Sequence, residues 1–356
     1  VLEPAILAEE LGPFDATFHI PAFLEGGRTT ENGIHYLNGI PVHTTDFGHD
    51  NIFGFSTSNL AKWIEEKSFG KIKAKNILHV KIKQLDMAFN DEDGFESLLK
   101  FLSKLENNTS VIVDAKLPHH LETLVNAIKV VSKEKRFLFR TAASFINSLS
   151  ALPPNPKCTA DLVSLKLKNN EYKYKPGLII VGSHVKLATD QLKVLLIDNC
   201  CKGLEIPVSK LANIFALEDR QQAILEIEYT LLSKIDDILD LEKVPVLYTS
   251  REEMKFSSYS ERMTFGLELA EFMSILVRKI TNKLGYIISK GGITTQILLQ
   301  KGLNFNHVHL KGQILPGLSI VTGDSDQYNL PVVTFPGNLG NEKTLLEVLK
   351  LMDSIA

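Results

Sequence analysis

Cysteine is scarce in this chain of 356 residues, with three in all: Cys158 and the adjacent pair Cys200 and Cys201. Three thiols at that spacing make neither a disulfide framework nor a zinc site, which points to a reducing, cytoplasmic setting. No apolar run approaches the length of a membrane span, and the first residues lack the charged, apolar and small order of a signal peptide. No membrane partner is expected. An excess of charge is missing as well. A net charge of -3 gives no general electrostatic footprint for nucleic acid or an anionic bilayer, so any anionic ligand must be held by local groups. There are no internal repeats and no low-complexity segments. The single tryptophan, Trp63, is expected to pack in a core rather than to stack on a ligand.

Hydrophobic residues make up 44% of the chain and charged residues 23%, the balance of an ordinary globular protein. The length is too great for one ordinary compact core and fits two α/β domains. Short apolar runs such as 16–21, 77–80 and 110–113 alternate with helical patterns at 58–67, 95–105 and 121–132. That alternation implies parallel strands joined by right-handed crossovers. A Pro-rich, polar stretch from Pro153 to Pro176 reads as a linker, giving expected domains at 1–150 and 177–356 with 151–176 between them.

The second half is organised around residues 286–302, in which an apolar run meets Gly291-Gly292 and then opens an amphipathic helix. Glycines at such a turn let the backbone approach a ligand closely, and the free N–H groups of a helix start attract anions. Thr294 and Thr295 add hydroxyls, and Lys290 adds a cation; phosphate suits this set, although a plain turn has the same pattern. Two further strand-to-turn junctions resemble it: 177–184, with Ser183 after Gly182, and 335–340, with Gly337 and Asn338. His307 and His309 alternate on a strand and read as core-edge residues.

In the first half, Ala22 to Thr30 reads as a Gly-rich loop carrying Arg28. A loop arginine is ordinarily a solvated charge; the functional alternative is a two-point grip on a carboxylate or phosphate. Residues 35–50 hold His35, His43, His49, Asp46 and Asp50, a density that suggests either a metal site or hydrogen-bonded loop polarity. Asp114 falls beyond the end of a strand, where α/β sheets place ligands and where helices also take a capping acid.

Taken together these segments resemble the four-carbon acid sugar kinase family. The signatures, in family order, are PAFLEGGRTTENGIHYLNGIPVHTTDF (21–47), FRTAASF (139–145), GLIIVGSHV (177–185), YTSRE (248–252), SKGGITT (289–295), GQILPG (312–317) and FPGNLG (335–340). The resemblance implies an α/β enzyme of two domains, each a mainly parallel sheet flanked by helices, with the active cleft between them. The N-terminal domain would bind a sugar acid and the C-terminal domain a nucleotide. The implied reaction moves the γ-phosphoryl of ATP, with Mg²⁺, to a hydroxyl of threonate, erythronate or an oxo-tetronate. Carried over by position, Ser183, Gly291, Gly292, Ile293, Thr294, Gly337 and Asn338 hold the nucleotide beside Lys290, and Arg28 holds the small-molecule sugar acid. Asp46, Asp50 and Asp114 are the candidates for a general base. No metal ligand is assigned, and the oligomeric state is open, a homodimer included.

One departure sets a further expectation. Members of the family open with an Asp-Asp-x-Thr-Gly-Ala strand end and later carry a Lys-x-Asp-Ser-Thr-x-Arg-Gly-Asn segment, and this sequence contains neither. Read as a fragment or a shortened relative, the chain is expected to bind nucleotide and to phosphorylate sugar acids poorly. The competing reading is a catalytically silent or regulatory nucleotide-binding relative without a sugar-acid site.

Overall fold

The computed structural model describes residues 2–45, 47–49, 54–151, 162–251, 254, 256–323 and 329–353. The chain divides into two units, Val1–Pro154 and Asn155–Ala356.

In the first unit the run Ala16–Ile20 is buried along its whole length and forms β1. Three short strands follow: β2 (Arg28–Glu31), β3 (Ile34–Leu37) and β4 (Ile40–Pro41). They make a small antiparallel sheet turned at Asn32-Gly33 and Asn38-Gly39, and all four of these residues have positive φ. Such Asn-Gly pairs favour the tight turn whose twist matches that of the flanking strands. The Gly-rich loop expected at 22–30 is therefore corrected: Leu24–Gly26 is a single 3-10 turn, and Arg28 opens a strand.

The main sheet adds β5 (Leu78–Val80), β6 (Thr109–Val113) and β7 (Phe137–Thr141) in the order β5-β6-β1-β7, all parallel. The register sets Phe18 beside Val111 and Phe139, and His19 beside Ile112 and Arg140. Because side chains alternate along a strand, those two rows face opposite sides. Phe18, with Ile20, Val111 and Val113, packs with apolar residues of the helices Ile82–Asn90, Glu92–Ser103, Pro118–Val131 and Ala143–Ser150. On the other side Ile112 meets Leu60 and Ile64 of the one short helix Leu60–Lys67. That thinner cover leaves room for polar groups.

The second unit contains β8 (Gly177–Val181), β9 (Cys201–Ile206), β10 (Val244–Thr249), β11 (Tyr286–Lys290), β12 (Val308–Leu315), β13 (Leu318–Gly323) and β14 (Val332–Phe335). Its sheet runs β12-β13-β14-β11-β8-β10-β9, parallel from β14 to β9, with β13 and β12 added antiparallel at one edge. β8 and β11 are buried on both faces, which explains their unbroken apolar runs. One face packs on helices Lys186–Ile197 and Thr344–Asp353, the other on Val208–Phe215, Gln221–Asp240 and Tyr259–Ile280. The expected class, two α/β units with mainly parallel sheets flanked by helices, is the one observed. His307 and His309 differ from expectation: both are exposed, at the start of the outermost strand. Among the described residues no helix is long and apolar enough to cross a membrane.

Candidate functional site

Each unit carries its own candidate site. In the second, β8 and β11 are neighbours, yet the chain leaves β8 toward β9 and β10 and leaves β11 toward β14. Connections that part in opposite directions open a crevice at the carboxyl ends of the strands. Lys290, the last residue of β11, is in register with Val181 and Phe335, so the ends of three adjacent strands lie level. Gly291 N donates to Phe335 O at 2.9 Å and Gly182 N to Lys290 O at 3.2 Å, which ties the three following turns together.

Glycine is required at two of these turns for separate reasons. Gly291 has φ +124, and a methyl on Gly337 would stand 2.6 Å from Ser183 Oγ. The structure thus brings Ser183, Lys290, Gly291, Gly292, Ile293, Thr294, Gly337 and Asn338 to one edge of one sheet. Gly292 has no heavy atom within 4 Å of where a Cβ would be, and Ile293 is 37% exposed. Thr295 is turned inward, its Oγ1 hydrogen-bonded to Ser289 O and Ser289 Oγ. The helix after the Gly pair is short, Gly292–Ile297, before a π-helical turn. What this edge offers an anion is the cluster of turns rather than a long helix dipole.

Lys290 is not the free cation its sequence position suggested. It is fully buried, donates from Nζ to Pro336 O (3.1 Å) and Gly337 O (3.2 Å), and stands 3.9 Å from the centroid of the Phe335 ring. Burial without a counter-charge pulls its pKa down to about 7. Its donors brace the Gly337-Asn338 turn. Gln191 supports the same loop from below, donating from Nε2 to Leu339 O and Asn341 O.

A cation that does reach this edge is Arg251, just beyond β10, a residue given no role on sequence grounds. Its Nη1 donates to Ser183 O at 2.5 Å, while Nε and Nη2 are buried without partners among the described residues. Asn338 Oδ1 is likewise buried and unpaired. Buried polar atoms normally have partners, so orphans beside a crevice mark where a polar ligand fits. The signal was present in YTSRE, but nothing local in that segment shows that Arg251 meets the Ser183 turn.

In the first unit a cavity of about 160 Å³ is lined by residues that include His19, Arg28, His35, Phe47, Trp63 and Arg140. Arg28 lies over the Phe47 ring, 4.5 Å from its centroid, and Arg140 over Trp63 at 5.4 Å. Trp63, expected to pack in a core, is half-buried: it packs against the Leu60, Ile64 and Ile112 cluster and also forms part of the cavity wall. Among the described residues neither guanidinium has a carboxylate partner. Burial lowers the pKa of Arg28, and burial together with the Arg28 charge holds His35 down at about 4. His35 Nδ1 is paired with Thr30 Oγ1, and His43 Nδ1 with Ser58 Oγ, so both histidines take part in hydrogen-bonded polarity.

Asp114 is spent elsewhere. It is 1% exposed, and its oxygens accept from Asn32 N and Gly33 N at 2.9 Å each, with His79 Nε2 at 3.0 Å. It anchors the first Asn-Gly turn and has no open face for an acceptor hydroxyl, a correction to its candidacy as a general base. Asp46 and Asp50 lie outside the described residues. Asp86, His119 and His120 also approach within metal-ligand distances. His120 Nδ1, however, accepts from the N–H groups of Lys116 and Leu117, which puts the ring proton on Nε2, facing Asp86. That nitrogen then has no lone pair to offer an ion.

Residues 1–149 match a family described as a sugar-binding N-terminal domain, and residues 178–345 one described as a nucleotide-binding C-terminal domain. The chain belongs to the four-carbon acid sugar kinase family. The cavity lies within the residues that match the sugar-binding description, and the three turns lie within those that match the nucleotide-binding one. Among solved structures, a Salmonella typhimurium LT2 protein provisionally labelled a tRNA synthase shares 16% identity and a TM-score of 0.62, over 99% of this chain and 76% of its own. A Haemophilus influenzae protein of the DUF1537 family shares 18% and 0.53 over the same fractions. Likeness at such identities is likeness of fold. No curated protein matches the chain.

Proposed function

We propose that this protein is an ATP-dependent kinase of small sugar acids, moving the γ-phosphoryl group to a hydroxyl of a four-carbon acid of the threonate, erythronate or oxo-tetronate type. The observation that carries the reading is the pair Arg28 and Arg140, two guanidiniums in one cavity with no carboxylate partner among the described residues. Half-buried cations that share a cavity attract an anion, and a guanidinium matches a carboxylate in two-point geometry. The second reactant suits the other unit, where the backbone of three turns, the Ser183 and Thr294 hydroxyls and the two free donors of Arg251 face phosphate oxygens. Mg²⁺ would come in with the nucleotide, since none of the turn residues is a carboxylate. Phosphoryl transfer asks the protein mainly for positioning and charge neutralisation, which these groups supply.

A second reading, binding without transfer, is favoured by one observation: the one acid among the described candidates, Asp114, is tied to backbone. Titration calorimetry of the whole chain with Mg-ATP and with threonate, followed by an ADP-release assay, separates the two. Binding of both ligands and threonate-dependent ADP release supports the kinase. Binding of both without release selects the silent relative. Failure to bind either ligand overturns both readings.

A further inference from the structure

We propose that His19 determines specificity in the cavity of the first unit, reading the hydroxyl groups of an acid whose carboxylate is held by Arg140 and Arg28. The proposal rests on the acid-binding reading above and adds to it a residue and a chemical selection.

His19 is 4% exposed, lines the cavity, and has both ring nitrogens buried with no partner among the described residues. A buried imidazole with two unpaired nitrogens destabilises the empty protein, so its retention needs an occupant that pairs with it. Burial, and after it the charge of Arg140, hold the ring at about 4, so near neutral pH it is uncharged and offers one N–H donor and one lone pair. Strand register supplies the geometry. His19 on β1 is the direct neighbour of Arg140 on β7, and paired residues point to the same face. Arg140 Nε is also buried and unpaired. By contrast the other histidine of the cavity, His35, already has Thr30 as a partner.

A bare carboxylate only accepts hydrogen bonds. It can satisfy the guanidiniums and the N–H of His19, but it leaves the ring lone pair empty. A hydroxyl supplies the missing donor, and a second hydroxyl can accept from the N–H. The set formed by Arg28, Arg140 and neutral His19 is therefore complementary to a hydroxylated acid and not to a deoxy acid of the same length. An ionised histidine would have attracted either one.

The test compares threonate with butyrate, four-carbon acids with and without hydroxyls, by titration calorimetry on the whole chain. The wild-type protein is expected to bind threonate at least about tenfold more tightly, the discrimination of roughly one well-made buried hydrogen bond. His19→Leu should bring the ratio close to one while leaving butyrate affinity within about twofold, and His19→Gln, which keeps a donor and an acceptor, should restore part of the preference. Thermal melting of each variant checks the fold; should His19→Leu fail to fold, the His19→Gln ratio and the wild-type ratio carry the test. Equal wild-type affinity for the two acids, or an undiminished ratio in His19→Leu, overturns the role of His19 and leaves the acid site standing. Wild-type protein that binds neither acid overturns the acid site as well.

Discussion

The two units hold their candidate anion sites by different means. In the second unit the groups are mainly backbone: three turns at the ends of β8, β11 and β14, packed so closely that two glycines are fixed by contact or by φ. In the first they are side chains, Arg28, Arg140 and His19, brought together from strands far apart in the sequence. A backbone site recognises any ligand with phosphate oxygens. A side-chain cavity recognises a particular shape and charge, because each guanidinium and imidazole has a fixed direction. The difference suits a protein with one common and one selective ligand.

The strongest way to break this comparison is to remove the side-chain cations. Replacing Arg28 and Arg140 together with alanine should weaken threonate binding by about a hundredfold or more, since each charge-assisted pair contributes ~1.5–3 kcal/mol. Mg-ATP affinity of the same variant should stay within about twofold. A parallel loss of both, seen by calorimetry, would show that the two sites are not independent.

Lys290 tests the backbone site through its support. Below about pH 7 the amine is protonated in folded and unfolded chains alike, and the full desolvation cost is present. Between about 7 and its ordinary value of 10.5 the unfolded chain keeps the proton and the folded one releases it, so stability should rise with pH across that window. Urea denaturation at pH 6.5 and 9.5 should show a rise of up to ~3 kcal/mol from this group, and Lys290→Met should abolish that component of the slope. An unchanged slope in the variant would mean that Lys290 is not desolvated as described.

Two neighbouring glycines sharpen the comparison further. Gly292→Val has open space for its side chain and should leave the melting temperature nearly unchanged while reducing Mg-ATP affinity by about tenfold. Gly291→Ala should instead cost ~1–2 kcal/mol of stability, because φ +124 strains any residue with a Cβ. The smallest effect belongs to Ser183→Ala, ~0.5–1.5 kcal/mol in nucleotide affinity for one lost hydrogen bond. If Gly292→Val unfolds the protein while Gly291→Ala is harmless, the assignment of these turns is reversed.

The sequence was most legible where a feature is local. Apolar runs located most of the strands, and the Gly pairs located the turns after them. The Asn32-Gly33 and Asn38-Gly39 hairpins are equally local, although the histidines and acids around them have the composition of a polar loop. The roles of Arg140 and Arg251 were not legible. Both lie inside family signatures, yet what singles them out is a lack of partners, and partners are a property of the folded chain.

Periodicity and glycine act over a few residues, so the two α/β units and the positions of the three strand-end turns could be read from the sequence alone. Only the tertiary structure decided which charged groups would lose their water and what they would find instead. Lys290 was buried against the carbonyls of a turn 46 residues away, Asp114 was captured by N–H groups 81 and 82 residues away, and the Arg28 and Arg140 guanidiniums came to line the same cavity. Desolvation and pairing depend on neighbours in space, which the order of residues along the chain does not specify.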